Sequence, residues 1–266
     1  MIPEISASKV AAVIGLNRYQ KPVDVKYELL CKNKDIKAKI TEIERAHNRR
    51  SFNQVVQEIL REGPIRECIS NGADECRRTS NIAEVLDGVE RHARVILDLR
   101  KDSFSPEIRA QIASEVRGSV SKQRGLANEN AILDTYETAR EVKVTERNTK
   151  TVRKEYGTFK LVGRTDGYVA SENRIVDSKD RTRYWPEVPV YDEIQLRCYM
   201  DMTGATESEL VERFPDGRTR HTKYMNDPAK WATIQEQLER VAAELNAAAT
   251  DEEALKRIVF AVTIPM

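Results

Sequence analysis

Apolar residues recur along this chain with two different periods, and the change from one to the other divides it. In "SASKVAAVIGLNRY", Val10, Val13 and Ile14 repeat at helical spacing behind a serine suited to capping, and Gly15 stops the run. "DVKYELLCKN" reads as a second helical piece. From about 35 to 121 the chain is rich in Glu, Arg, Ala, Ile and Val, with apolar residues three and four apart, as in "FNQVVQEILREG" and "IAEVLDGVERHARVILDLR". Gly63-Pro64, Asn71-Gly72 and Ser105-Pro106 punctuate it. The stretch predicts a helical insertion or subdomain, a scaffold in the first instance.

Beyond Gln123 the period shortens. "RGLANENAILDTYE" is still helical, but "REVKVTERN" alternates like a strand, and "GTFKLVGRTDGYVA" and "RIVDSKDR" read as two strands joined by a turn at Ser171-Glu172-Asn173. Pro186 and Pro189 interrupt before a helix over "YDEIQLRCYMDMTG", closed by Gly204. "ATESELVERF" reads as a strand and Pro215-Asp216-Gly217 as a turn. "DPAKWATIQEQLERVAAELNAAA" starts with an Asp cap and Pro at the first helical position. The order helix, strands, helix, strand, helix argues for an α/β (α+β) core. Three regions follow: helices over 1–34, a helical insertion over 35–121, and the core with its final helix over 122–266.

Composition narrows the function classes. Lys+Arg number 44 against Asp+Glu 43, so no global positive field marks a nucleic-acid partner, and any such site must be a local patch. Cys31, Cys68, Cys76 and Cys198 are scattered with no C-x-x-C pair, which argues against structural zinc, iron–sulfur sites and disulfides. The start, "MIPE", has no charged segment before an apolar run, and nothing approaches a membrane span. The expectation is an intracellular protein with no membrane partner.

Chemistry is suggested where polar residues stand in places that cost energy. Glu129 shares its helical stripe with Ile132, Leu133 and Tyr136, so its carboxylate needs a cation or donors beside it. A boundary glutamate paired with an arginine satisfies that pattern as well as a functional group does. Asp166, in "LVGRTDGYVA", interrupts a strand pattern and reads either as a turn residue or as a strand end, with Gly167 permitting close approach. Ile175, Asp177 and Lys179 fall on one face of their strand, and a turn at 171–173 brings Asp177 near Asp166. Two facing carboxylates repel unless something positive lies between them, and a divalent cation is the economical answer. Alone, the Asp177–Lys179 alternation equally describes a salt-bridged surface strand. Gln195 shares a helix face with Tyr191, Cys198, Tyr199 and Met202, and a buried amide wants partners.

Taken in order, these stretches resemble the PD-(D/E)xK nuclease superfamily, in particular its YqaJ-like viral recombinase and phage lambda-type exonuclease branch. "ISASKVAAVIG" is similar to that branch's N-terminal "TAS" helix, and "RGLANENA" to its G-x-x-x-E helix, with Gly125 and Glu129 at the motif positions. "GRTDG" resembles the P-D-G strand, "VDSK" the E-x-K strand and "IQLRCYMDMTG" the Q-x-x-x-Y helix. Thr165 stands where proline is common, and Asp177 is one methylene shorter than the commoner glutamate. The resemblance covers roughly 5–30 and 120–215. It implies a restriction-endonuclease-like core, a central mixed β-sheet flanked by helices, and metal-dependent hydrolysis of DNA. By this resemblance Glu129, Asp166, Asp177 and the Ser178 carbonyl hold one or two Mg²⁺ or Mn²⁺ ions. Lys179 then positions the attacking water, and Gln195 and Tyr199 orient Lys179 and the phosphate.

Local basic clusters are where DNA, in the first instance double-stranded ends, is expected to lie. Arg147, Lys150 and Arg153 fall on an expected hairpin, Arg164 precedes Asp166, and Arg181, Arg183, Tyr184 and Trp185 follow Lys179. Ser8 and Lys9 join them through the "TAS" resemblance. The leading expectation is therefore an exonuclease on linear DNA in viral or phage recombination, replication or repair, in the host cytoplasm or nucleus if viral. A single-strand annealing protein and further copies of the chain are the partners to consider. The alternative is a nuclease-fold protein that binds nucleic acid or a recombination partner without catalysis.

Overall fold

The computed structural model describes residues 1–99 and 104–265. β1 (Glu4–Ser6) runs straight into α1 (Ala7–Val13), which ends where Gly15 takes φ +82°. α2 (Pro22–Leu30) and α3 (Lys34–Ala46) follow, the latter capped by the Asn33 side chain, which accepts from the amides of Asp35 (3.0 Å) and Ile36 (3.2 Å). β2 (Arg49–Ser51) opens a helical layer of α4 (Phe52–Ile59), α5 (Gly63–Arg78), α6 (Ile82–Asp98) and α7 (Pro106–Arg140). The helix expected over 82–100 is α6, and its final Arg100 lies outside the described residues.

The second half of the chain then carries β3 (Thr151–Glu155), β4 (Lys160–Arg164), β5 (Gly167–Val169), a short 3₁₀ turn at Ala170–Glu172 and β6 (Arg174–Asp180). After it come α8 (Val190–Thr203), β7 (Glu207–Arg213), β8 (Thr219–Met225), α9 (Pro228–Thr250), α10 (Glu252–Val262) and β9 (Thr263–Pro265). The sheet comes in two main pieces. β4 lies between β1, its parallel neighbour, and antiparallel β3. β5, β6, β7 and β8 form the second piece, with β6 and β7 parallel and the outer pairs antiparallel. The chain leaves the first at Arg164 and enters the second at Gly167, so Thr165 and Asp166 occupy the gap between them. This is a mixed α/β fold.

Two sequence expectations are corrected. "REVKVTERN" forms no strand, because Glu141 (φ 54°) and Glu146 (φ 55°) turn left-handed at either side. What remains is a bridge between Thr145 and Tyr168, with N–H···O distances of 2.8 and 2.9 Å. Asn71-Gly72 breaks nothing, since both residues lie inside α5. Gly72 is instead a contact point: a Cβ there would stand 2.5 Å from Val89 Cγ2, so the missing side chain lets α6 pack close against α5.

Three apolar cores result. The first gathers α1, α2, α3, α8, α9 and α10 around Phe159, Leu161, Ile175 and Leu210, and it takes in Ile36, Ile40 and Ile43 of α3. The second belongs to α4, α5, α6 and the first half of α7. The third is small and joins Ile132, Leu133 and Tyr136 of α7 to Val169, Val176 and Val211 of the sheet. α7 thus runs unbroken through position 121 and contributes to two cores. Its 35 residues make a rod about 50 Å long at 1.5 Å per residue. Among the described residues no helix is long and apolar enough to cross a membrane.

Buried charge holds the sheet to this rod. Glu209 of β7 is fully buried and accepts from Tyr136 Oη (2.8 Å), Arg174 (2.9 Å) and Arg140 (3.0 Å), with His221 Nδ1 at 3.3 Å. Burial opposes its ionisation, but the His221 and Tyr136 hydrogen bonds and the Arg174 and Arg140 charges outweigh it and hold the carboxyl down at about 2. A depressed carboxyl contributes stability that is present above its unfolded value of 4.5 and is lost as pH falls toward 2. Glu209→Gln is therefore expected to lower stability at pH 7 by about 2–3 kcal/mol. The gap between variant and wild type should shrink as pH drops through that window, read from urea midpoints at stepped pH.

Candidate active site

β6 carries charge on both of its faces, and alternation sends successive residues to opposite helices. Asp177 and Lys179 face α8: Gln195 Nε2 stands 3.4 Å from Asp177 Oδ1, and Lys179 Nζ is ion-paired to the same carboxylate. Ser178 and Asp180 belong to the other side, where Asp180 accepts from Arg124 (3.0 Å) and Asn128 (2.6 Å) of α7. The hairpin register sets Gly167 opposite Val176, so Asp166 falls beside Asp177, as the turn at 171–173 predicts. Asp166 stands at a strand end. Its Oδ2 accepts from the Ser178 amide at 2.8 Å and from Ser178 Oγ at 3.3 Å.

The electrostatics follow from burial. Asp177 is 1% exposed. Burial, then the neighbouring Asp166 charge, push its carboxyl well above the usual range, while Lys179 pulls the other way. Asp166 is likewise raised by burial and by Glu129, and lowered by Lys179 and the Ser178 hydrogen bonds. Burial disfavours the Lys179 ammonium, yet Asp177, Asp166 and Asp192 together hold its pKa above the normal value, so it stays charged. One ammonium thus faces several carboxylates in a low-dielectric setting, an arrangement that calls for further positive charge.

Tyr199 closes the site on the α8 side. Its hydroxyl donates to the Arg164 carbonyl (2.9 Å) and lies 3.1 Å from Gln195 Nε2, and burial followed by the Asp177 charge raises its pKa. The ring fits because residue 163 is glycine: a Cβ there would come 2.4 Å from Tyr199 Cε1. Glu129 is half-buried on α7 and accepts from Asn148 Nδ2, not from an arginine, while its charge is felt by Asp166.

Whether a divalent ion suits this place turns on the donor set. Among the described residues no group of three His, Cys, Asp or Glu side chains stands ready to hold an ion. Asp177 is turned to Lys179, Asp166 to Ser178 and Glu129 to Asn148. The donors themselves are hard carboxylate oxygens, the ligand chemistry Mg²⁺ and Mn²⁺ favour, and burial first and neighbouring carboxylate charge second raise the pKa of Asp166 and Asp177. The residues present fit such an ion.

The residues expected to touch DNA separate into three groups. Arg181 is corrected outright: it is buried, bonded to Glu212 (2.7 Å) and Asp192 (2.6 Å), and its guanidinium ties β6 to β7 and α8 instead of meeting solvent. Several others are exposed or half-exposed but already paired: Lys9 with Glu28 (3.2 Å), Arg147 with Asp134 (2.6 Å) and Glu137 (3.0 Å), Lys150 with Glu146 (3.0 Å), Arg153 with Glu4 (3.5 Å). Ser8 is exposed with its hydroxyl 3.0 Å from that of Ser6. Arg164 is exposed, Arg183 lies over the Trp185 ring (4.7 Å), and Tyr184 is 53% exposed beneath Arg218 (5.0 Å).

Comparison with known proteins adds the fold. No family model matches the chain, and no curated protein does. Among solved structures, the alkaline exonuclease LHK-Exo from Laribacter hongkongensis overlays 96% of this chain and 92% of its own, at a TM-score of 0.51 and 16% identity. The chain therefore shares the overall fold of that structure. Shorter overlaps exist with a phage-related exonuclease from Haemophilus somnus 129PT (47% of this chain, 70% of that one, TM-score 0.40, 16% identity) and with LHK-Exo in complex with dAMP (62% and 90%, 0.42, 19%). At those scores they add no weight.

Sequence reasoning missed Asp180, Arg124 and Asn128. Asp180 has no exposed side-chain surface, and Arg124 also donates to the carbonyls of Asp180 and Arg181, each at 3.4 Å. The signal was present in the row of charges "DSKDR", but the partners come from a helix more than fifty positions away. Asp180→Ala would leave the Arg124 charge buried and uncompensated. We expect a loss of about 3–5 kcal/mol in urea unfolding, against less than about 1 kcal/mol for the exposed Asp134→Ala.

Proposed function

We propose that this chain is a metal-dependent deoxyribonuclease, most suited to exonucleolytic attack on linear DNA from double-stranded ends. The observation that carries the reading is the Asp166–Asp177–Lys179 constellation around buried Asp177, backed by Gln195 and Tyr199, on the fold of an alkaline exonuclease. Glu129, Asp166, Asp177 and the Ser178 carbonyl would hold Mg²⁺ or Mn²⁺. Such an ion, when bound, acidifies water and neutralises charge on the phosphate.

The chain's own groups do the rest. Lys179 keeps its proton at Nζ and offers a fixed positive charge to the phosphoryl oxygens and to the attacking water. Gln195 holds Asp177 through Oδ1, and Tyr199 fastens that amide to the β4 backbone at Arg164. Burial of Asp177 and Tyr199 keeps their interactions with the half-buried Lys179 and Gln195 strong. Phage or viral recombination, replication or repair is the setting that such an enzyme suits, with a single-strand annealing protein or further copies of the chain as partners.

The test is incubation of end-labelled linear and closed circular DNA with Mg²⁺ or EDTA. We expect linear DNA to be degraded in Mg²⁺ and spared in EDTA, and Lys179→Ala to slow cleavage at least about a hundredfold. Cleavage of neither form, with the variant indistinguishable from wild type, would overturn the reading. A calorimetric Mn²⁺ titration separates the inactive alternative: an ion site lost in Asp166→Ala supports the enzyme, whereas a chain that binds DNA with no such site supports the binder.

A further inference from the structure

Beside α8 opens a cleft of about 630 Å³, lined by Leu16 and Arg18 of the α1–α2 connection and by the segment from Trp185 to Tyr191. Its volume is in the range of small-molecule sites. The Trp185 indole is its centre. The Arg183 guanidinium lies 4.7 Å from the ring centroid and that of Arg18 lies 5.4 Å from it. Tyr19, 59% exposed, meets Trp185 and Tyr191 edge-on, each at 6.2 Å between centroids, and its hydroxyl accepts from Arg18 at 2.7 Å.

The arginines of this cleft differ from those that hold the sheet and helices together. Arg124, Arg147, Arg174, Arg181 and Arg220 are all paired with carboxylates. Among the described residues neither Arg18 nor Arg183 makes an ion pair, and both rest on aromatic faces. Glu187 also lines the cleft, but it is exposed and bonds to neither of them. Two uncompensated guanidinium groups offer bidentate donors to an anion, and the rings beside them offer stacking surface. An acidic peptide would satisfy the first and leave the second unused. A nucleotide, with phosphate and base on one small unit, satisfies both.

The platform is also built in advance. Arg220 donates to the carbonyls of Trp185 (2.8 Å) and Pro186 (2.9 Å) and to buried Glu212 (2.6 Å). Glu212 in turn bonds Arg181, which reaches Asp192 at the start of α8. The loop bearing Trp185 is therefore fastened to the sheet and helix that carry Lys179 and Gln195, with Pro186 and Pro189 stiffening it. Tyr191 lies four residues before Gln195, one turn or about 5.4 Å along the same helix face, so the cleft adjoins the site.

We propose that this cleft is a nucleotide subsite for the substrate strand: Arg18 and Arg183 take a backbone phosphate, and Tyr19 and Trp185 take the base next to it. The proposal rests on the nucleolytic reading for the identity of the strand, but its test does not depend on cleavage. Trp185 and Trp231 are the two tryptophans of the chain, and Trp231 is buried in the first core. Tryptophan emission is followed in EDTA while a short single-stranded oligodeoxynucleotide is added, with inorganic phosphate as the comparison.

We expect saturable quenching in wild type and none in Trp185→Phe. Arg183→Gln and Arg18→Gln should each weaken Kd about tenfold and lower the salt slope by about 1. Arg183 is exposed, so its substitution tests the idea even if Trp185→Phe unfolds. Unchanged emission at saturating oligonucleotide, or arginine variants that bind like wild type, would overturn the subsite. Equal quenching by inorganic phosphate would also overturn it, in favour of a simple anion site. A protein that cleaves without quenching loses the subsite alone, and one that quenches without cleaving keeps the subsite and loses the nuclease reading.

Discussion

The rest of this architecture answers to one strand that must bury charge on both faces. In β6 the Asp177 and Asp180 carboxylates lie out of water, two residues and one residue from Lys179 and Arg181. An uncompensated buried carboxylate costs several kcal/mol, so each demands partners that the strand itself supplies incompletely. The helices satisfy the demand from either side: α8 brings Gln195 to Asp177, and α7 brings Arg124 and Asn128 to Asp180. The parallel neighbour β7 adds Arg213 to Asp180, and its Glu212 takes up the Arg181 charge. Apolar packing brings these elements together, and the charges settle their register. Replacing a buried ion pair by hydrophobic residues is often neutral or favourable for stability, so burying so many groups on one strand is better explained by what they position.

Much of this was legible in the sequence wherever the determinant was local. Period-two alternation placed Asp177 and Lys179 on one face, and the turn at 171–173 placed Asp166 beside Asp177, because strand pairing across a short turn follows from chain geometry alone. The Asp227 cap and Gly204 stop marked α9 and α8 for the same reason. What could not be read depends on partners far along the chain. Arg181 looked like a surface cation following Lys179, and its burial is decided by Asp192 and Glu212, which periodicity cannot pair with it. Asn71-Gly72 has the composition of a turn, and the contact with Val89 that keeps it helical lies in another helix. "REVKVTERN" alternates correctly but is bounded by residues of positive φ, a choice made by tertiary context. Glu129 belongs to the same class: its stripe was legible, its Asn148 partner was not.

α7 gives these local facts a mechanical meaning. Its first half is packed into the helical layer through Ile112, Val116 and Val120, and its second half is packed onto the sheet through Ile132, Leu133 and Tyr136. Glu129 lies between Arg124 and Asn128, which grip Asp180, and the apolar residues that follow. The placement of Glu129 relative to Asp166 is thus set by a buried ion pair on one side and a small core on the other. A helix fixed at two points along its length transmits displacement instead of absorbing it. The helices α4, α5 and α6 therefore connect to the site through α7.

The same logic reaches the loop after β6. Buried Arg181 and Glu212 and half-buried Arg220 form a continuous chain of charge from the strand that holds Lys179 to the carbonyls of Trp185 and Pro186. A loop on the surface is ordinarily the mobile part of a fold. Here its backbone is bound by an arginine whose own partner is fully buried, so its position is inherited from the sheet. The consequence is that Arg181, lost as a contact to substrate, regains a role one step removed: it holds the carboxylate that holds the arginine that holds the loop. The Asp177–Lys179 face of β6 and its Asp180 face are therefore not independent. They are the two sides of a seven-residue strand, and its alternation decides which residue serves which.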